Sequence, residues 1–393
     1  MKFAQRTGWN LSLNLYSQAI ERHRAGGHPL LDLTASNPTT VGLEYEPAKI
    51  LAGLSTADAL RYRPEARGLQ AAREAVCSYY GQRGEAVTPE QLLLTTSTSE
   101  GYSFLFRLLC DPGDEVLVPS PSYPLFQFLA DLQDVRLVPY PLFYDHGWQI
   151  DLAALRECVS ARTKAIIVVH PNNPTGSFVH GGEREQLNRI CAGHGLALIV
   201  DEVFLDFAHA GFKGAGAQAS FAANRETLTF TLSGLSKIAG LPQMKFAWVN
   251  ASGPEEIRDQ ALARLEVIAD TYLSMNAPVQ LAASAMLESR HGFQRQLNAR
   301  VAANLSDLDR QLAAQSLCSR LVIEAGWYAV LRVPALGPDE DLAIRLLEKE
   351  DVLVHPGHFY DFRREGHLVV SLITPEAEFR EGISRLLRSI SAG

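Results

Sequence analysis

Short apolar runs alternate with amphipathic stretches through the middle of this chain. Leu92–Thr95, Glu115–Pro119, Arg136–Tyr140, Ala165–His170, Ala197–Asp201, Leu228–Leu232 and Phe246–Asn250 read as strands, being too short for helices. Runs such as Ala165-Ile166-Ile167-Val168-Val169 are apolar without alternation. That is how a strand covered on both faces looks. Tyr102–Leu109, Leu125–Leu132, Asp151–Cys158 and Glu183–Ala192 carry helical spacing between them. The alternation predicts an α/β fold with a large, doubly wound, mostly parallel sheet. After Pro254 the texture changes. A long helical region runs to about Glu288, and a second helix spans Arg295–Ala314. Strand-like Arg320–Leu331, helix Asp339–Glu350, strand Leu368–Ile373 and helix Glu376–Leu387 follow. This tail and the N-terminal segment predict a smaller α+β domain: residues 1–45 and 285–393 against a large domain of 46–284.

Composition narrows the function classes. The chain has 393 residues, 47% hydrophobic and 20% charged, as in an ordinary globular protein. Its net charge of −8 argues against nucleic-acid binding, which needs a basic footprint. Neither an apolar stretch behind Met1–Arg6 nor a run of eighteen apolar residues occurs, so no leader peptide and no membrane span are expected. The five cysteines show no CxxC pair; free thiols and a cytoplasmic location are expected.

Three stretches carry chemistry. Ser233-Gly234-Leu235-Ser236-Lys237 places a lysine after the strand Thr227–Leu232, among small residues. Lysine is the side chain that joins a carbonyl carbon covalently. Val200-Asp201-Glu202 ends another strand in an acid, and strand ends of a parallel sheet face the ligand crevice. His170-Pro171-Asn172-Asn173-Pro174-Thr175-Gly176 follows a third strand and is also a strong turn signal. Ser97-Thr98-Ser99-Glu100-Gly101 stands between a strand and a helix, where backbone N–H groups bind anions and where Ser or Thr also caps. Gly214-Ala215-Gly216 is read as a loop, and His355-Pro356-Gly357-His358 as a turn without a third metal ligand.

Taken together, in this order and spacing, these stretches resemble the class I/II (fold type I) pyridoxal-phosphate aminotransferases over nearly the whole chain. The resemblance implies a cofactor, pyridoxal 5'-phosphate, in the cleft between the domains of a homodimer. It implies Lys237 as the Schiff-base lysine, which also moves the Cα proton, with Ser236 beside it. Asp201 would pair with the pyridine nitrogen, Asn173 would reach the ring oxygen, and Tyr123 would stack on the ring. Ser97, Thr98 and Ser99 would hold the phosphate, with Tyr62 reaching it from the partner subunit. Ser36 and Asn37 match the N-terminal substrate loop. An amino donor and a 2-oxo acid would be the partners.

Four positions depart from that family's habit. Lys245 stands for an arginine on the phosphate and offers a point charge instead of a fork. Phe204 replaces a tyrosine that donates to the ring oxygen, and Ser36 a common glycine. Val369 occupies the place expected for the arginine that binds the substrate carboxylate, leaving Arg6, Arg363 and Arg364 as substitutes by rough location. The resemblance therefore implies an aminotransferase, with a lyase or decarboxylase on the same cofactor as the alternative. A non-catalytic relative fits less well, because the lysine, aspartate and asparagine are all present.

Overall fold

Fourteen strands are present in a computed structural model that describes residues 2–124, 126–212, 218–273 and 275–392. They are β1 (Leu31–Asp32), β2 (Leu92–Thr95), β3 (Glu115–Ser120), β4 (Arg136–Tyr144), β5 (Trp148–Ile150), β6 (Thr163–Val169) and β7 (Ala197–Asp201). They continue as β8 (Thr229–Gly234), β9 (Ala247–Ser252), β10 (Ser319–Arg320), β11 (Tyr328–Arg332), β12 (Val352–Leu353), β13 (His355–Pro356) and β14 (His367–Ser371). The Gly214–Gly216 stretch and Leu125 lie outside the described residues.

The apolar runs line up in one eight-stranded sheet, in the order β2-β9-β8-β7-β6-β3-β4-β5. Strands β4, β3, β6, β7 and β8 are parallel, while β9 runs against β8 and β2, and β5 against β4. Six strands therefore point the same way and end along one edge. Side chains alternate between two covered faces. Ala165, Ile167 and Val169 meet helices Thr98–Leu109 and Glu255–Thr271. Ile166 and Val168 meet Leu187 and Ile190 of helix Gly181–His194 on the other side. Burial on both faces is why these strands carry no polar alternation.

The C-terminal part forms a second, antiparallel sheet in the order β10-β11-β14-β13. Strand β1 from the N-terminal segment pairs in parallel with β12. The Ser371 N–H donates to the Leu33 carbonyl at 2.7 Å, and the Thr374 hydroxyl donates to the Asp32 carbonyl at 2.9 Å. Leu33, Val330, Leu346, Val370 and Phe379 fill this core.

The helical region after Pro254 breaks earlier than its periodicity predicts. Helix Glu255–Thr271 ends at once, and a single 31-residue helix, Ala283–Ala313, runs through the expected break. Leu273 takes a left-handed conformation, Asn276 caps the next short helix by accepting from the Val279 N–H, and Pro278 opens it. Strand-like Arg320–Leu331 also divides, into β10 and β11, at the positive φ of Gly326.

Candidate active site

The parallel strands deliver their C-terminal residues to a cavity of about 350 Å³, closed on the far side by the C-terminal part. Thr96 to Ser99 follow β2, Tyr123 follows β3, Asn173 follows β6, Asp201 ends β7, and Ser236 and Lys237 follow β8. Lys245 stands at the rim just before β9. Motifs scattered over 150 residues of sequence thus meet because their strands share one direction.

Lys237 sits on the single helical turn Leu235–Ile238. Burial pulls its ammonium down to about 8, against the opposing pull of the Asp201 carboxylate. Its Nζ lies 4.9 Å from the Trp327 ring centroid and 5.6 Å from that of Phe204. The segment is tied from behind. The Tyr45 hydroxyl donates to the Gly240 carbonyl at 2.8 Å, and Gln294 Nε2 donates to the Ile238 carbonyl at 2.9 Å. Gly240 has a φ of +64°, and a Cβ there would come within 2.2 Å of the Phe293 ring, so only glycine fits this turn.

Asp201 is buried, and its two oxygens are held apart. Oδ2 accepts from the Tyr102 hydroxyl at 3.2 Å and Oδ1 from the Val203 N–H at 3.1 Å. Burial raises its carboxyl to about 6; both hydrogen bonds and Lys237 counter that rise. Asn172 and Asn173 divide their labour. Asn172 Nδ2 donates to the Thr175 hydroxyl at 2.8 Å and to the Pro121 carbonyl at 3.1 Å, fixing the turn. Asn173 faces the cavity with its Oδ1 buried and unpartnered among the described residues. The turn needs Gly176, whose Cβ would lie 2.3 Å from the Ala325 carbonyl oxygen at a φ of +68°. The turn and the site are therefore one structure.

Ser97 caps helix Thr98–Leu109 by accepting from the Glu100 N–H at 3.1 Å, while the Glu100 carboxylate accepts from the Thr96 N–H at 2.7 Å. The Thr98 and Ser99 N–H groups keep no protein acceptor among the described residues and point with the helix dipole toward the cavity. Lys245 is exposed and adopts a φ of +52°. Phe204 is buried edge-on against Trp327, their centroids 5.2 Å apart, and brings no hydrogen-bond donor.

Not every expected residue arrives here. Ser36 lines the cavity, but Asn37 is exposed and caps the turn Pro38–Thr40. Tyr62 is 81% exposed and does not line it. Val369 is a correction: it is fully buried in the C-terminal core and contributes no cavity wall. It stands opposite His355 in the sheet, two pairs from Tyr328, and those larger side chains reach the cavity instead. Arg6 pairs with Asp134 at 3.0 Å, Arg363 and Arg364 are exposed, and none of the three lines the cavity. Sequence reasoning missed Tyr102, Trp327, Tyr328, His355, Phe359 and Tyr360. His355 was legible only as part of a turn, and the tyrosines and Trp327 only as apolar filling. Among the described residues no three His, Cys, Asp or Glu side chains form a metal site, and no helix is long and apolar enough to cross a membrane. All five cysteines are free thiols.

The chain resembles known proteins in sequence and in fold. The model of the family "Aminotransferase class I and II" matches residues 30–386. The chain is 27% identical over 384 residues to glutamate-pyruvate aminotransferase of Haemophilus influenzae, covering 93% of this chain and 91% of that one. It is 29% identical over 390 residues to alanine aminotransferase of Mycobacterium tuberculosis, covering 94% and 87%. Among solved structures, alanine aminotransferase from Pyrococcus furiosus superposes with a TM-score of 0.88 at 22% identity, covering all of both chains. A single mutant of Thermus thermophilus aspartate aminotransferase gives 0.84 at 22%, covering 99% of each. With its fold type I architecture and a family match across nearly its whole length, the chain belongs to the class I and II aminotransferases, enzymes that use pyridoxal phosphate to exchange amino groups between amino and 2-oxo acids.

Proposed function

We propose that Lys237 carries pyridoxal phosphate covalently in this cavity and moves the substrate's Cα proton. The observation behind this is the pairing of a desolvated lysine with a buried carboxylate at the ends of adjacent strands β8 and β7. The cavity fits the cofactor on its own terms. It offers an Asn173 carboxamide whose Nδ2 donor has no acceptor among the described residues, a buried anion at Asp201, and two free N–H groups at a capped helix. When bound, pyridoxal phosphate supplies an electron-accepting ring that stabilises negative charge on the substrate Cα.

The residues divide the remaining work. Asp201 keeps a proton on the pyridine nitrogen. Asn173 would donate to the ring oxygen through Nδ2, without help from Phe204, which has nothing to donate. Tyr123 covers the ring, and its hydroxyl is pushed above the usual tyrosine range by burial and by the Asp201 carboxylate. Ser97, Thr98, Ser99 and Ser236 would hold the phosphate, with Lys245 as an exposed counter-charge at the rim. Residues 46–284 form the cofactor-binding part, and 1–45 with 285–393 the part that closes on it. Tyr62 of the partner subunit completes the phosphate site in a homodimer. Tyr62 and Leu60, neighbouring exposed apolar side chains in the chain, support that association. A cytoplasmic location accords with the free thiols.

A panel of amino acids against the purified holoenzyme tests the reading. At least one α-amino acid should bleach the cofactor's absorbance band, and a 2-oxo acid should restore it. Bleaching or product release that no 2-oxo acid reverses would assign the cavity to lyase or decarboxylase chemistry.

A further inference from the structure

An amino acid and a 2-oxo acid both carry a carboxylate, yet among the described residues no arginine lines the cavity. Its basic groups among the described residues are Lys237, Lys245 and His355. Lys237 is committed to the cofactor, and Lys245 stands on the strand-end side with Ser97. We propose that His355 binds the substrate carboxylate through an Nε2–H that Tyr360 sets by occupying Nδ1. The proposal rests on the reading of this cavity as the cofactor site.

Three observations carry it. His355 Nδ1 lies 3.1 Å from the Tyr360 hydroxyl, and that is the ring's one hydrogen bond among the described residues, so Nε2 is left over on a ring that lines the cavity. A hydroxyl that donates to Nδ1 leaves the ring proton on Nε2, so a donor faces the cavity. The ring is also held in plane, stacked on Phe359 with centroids 5.3 Å apart and an interplanar angle of 0°. Finally, the turn carrying these residues is docked rigidly onto the large sheet. The Ser122 N–H donates to the Tyr360 carbonyl at 3.0 Å, and the Ser120 hydroxyl donates to the Asp361 carbonyl at 3.0 Å. Gly357 leaves no room for a side chain, since a Cβ would meet Asp339 Oδ2 and His367 at 2.9 Å. Burial keeps the imidazole neutral, pulling it down to about 4 against the Asp32 carboxylate. His355 is thus a neutral donor placed by its neighbours, in contrast to a mobile charge.

The test compares 2-methylalanine, which has no Cα hydrogen to lose, with its carboxamide. Binding of each to the holoenzyme is read from the cofactor absorbance. Wild type should prefer the acid about ten- to a hundredfold, the span of one charge-assisted hydrogen bond. His355→Phe keeps a flat ring on Phe359 and should bring the ratio close to one. Tyr360→Phe keeps the imidazole but frees its tautomer, and should lower the ratio severalfold. A wild type that binds acid and amide equally, or a cofactor-loaded His355→Phe with an undiminished ratio, overturns the proposal. If His355→Phe loses cofactor, Tyr360→Phe decides: a lowered ratio supports the assignment and an unchanged one overturns it. Failure of the cofactor site itself would look different. Neither probe would then shift the absorbance, and both assignments would fall together.

Discussion

Lys237→Ala should abolish turnover with every amino donor while the protein stays folded. General acid–base transfer alone is worth about 10²–10⁴-fold, and this variant also loses the covalent hold on the cofactor. The fall should therefore reach about 10⁴-fold or more. Folding should survive because the lysine contributes little that packs. Its ammonium is desolvated to a pKa of about 8 and rests on the faces of Trp327 and Phe204. A shortened side chain leaves the Gln294 and Tyr45 ties to the neighbouring carbonyls in place. Single-turnover rates and thermal melts, run side by side, check both halves. Added primary amines should restore part of the rate, since the missing function is a base near Cα.

Asp201→Asn should lower kcat by about 10²–10³-fold, the usual cost of removing one preorganised electrostatic partner. An amide cannot hold a proton on the pyridine nitrogen as a carboxylate does. Stability of the cofactor-free protein should move the other way. The folded carboxyl is raised from 3.8 to about 6, so above pH 6 the ionised form costs the fold on the order of 3 kcal/mol. Below about pH 4 the group is neutral in both states and that cost vanishes. The asparagine variant should therefore melt at or above wild type near pH 7.5, with the gap closing as the pH falls toward 4. An activity loss accompanied by an equally large loss of stability at pH 7.5 would make Asp201 a structural residue only.

Much of this arrangement is legible in the chain because the chemistry lies at strand ends. Strands β2 and β7 coincide with the apolar runs Leu92–Thr95 and Ala197–Asp201, since burial on both faces leaves an unbroken apolar signal. Polar residues at or just past the end of such runs then face the crevice: Asp201 ends β7, and Asn173 and Lys237 follow β6 and β8 within four residues. The opposite wall hides for a physical reason. Tyr102 lies inside an amphipathic helix, and only the sheet's register shows that its hydroxyl meets Asp201. His355 belongs to a two-residue strand whose partner, Val369, carries the same apolar signal as the core around it. An apolar run shows that β14 is buried but not which of its neighbours overhangs the cavity. The displaced helix break has a similar origin. Leucine and alanine spacing continues across residues 272–276, and the Asn276–Pro278 cap is a weaker mark than that spacing.

Reductive trapping tests the central claim most directly. Holoenzyme treated with borohydride, digested and mapped by mass spectrometry should carry one pyridoxyl phosphate group per chain, on the peptide that contains Lys237. The Lys237→Ala protein treated in parallel should carry none. An adduct on Lys245 or any other lysine, with Lys237 unmodified, would contradict the assignment of this cavity.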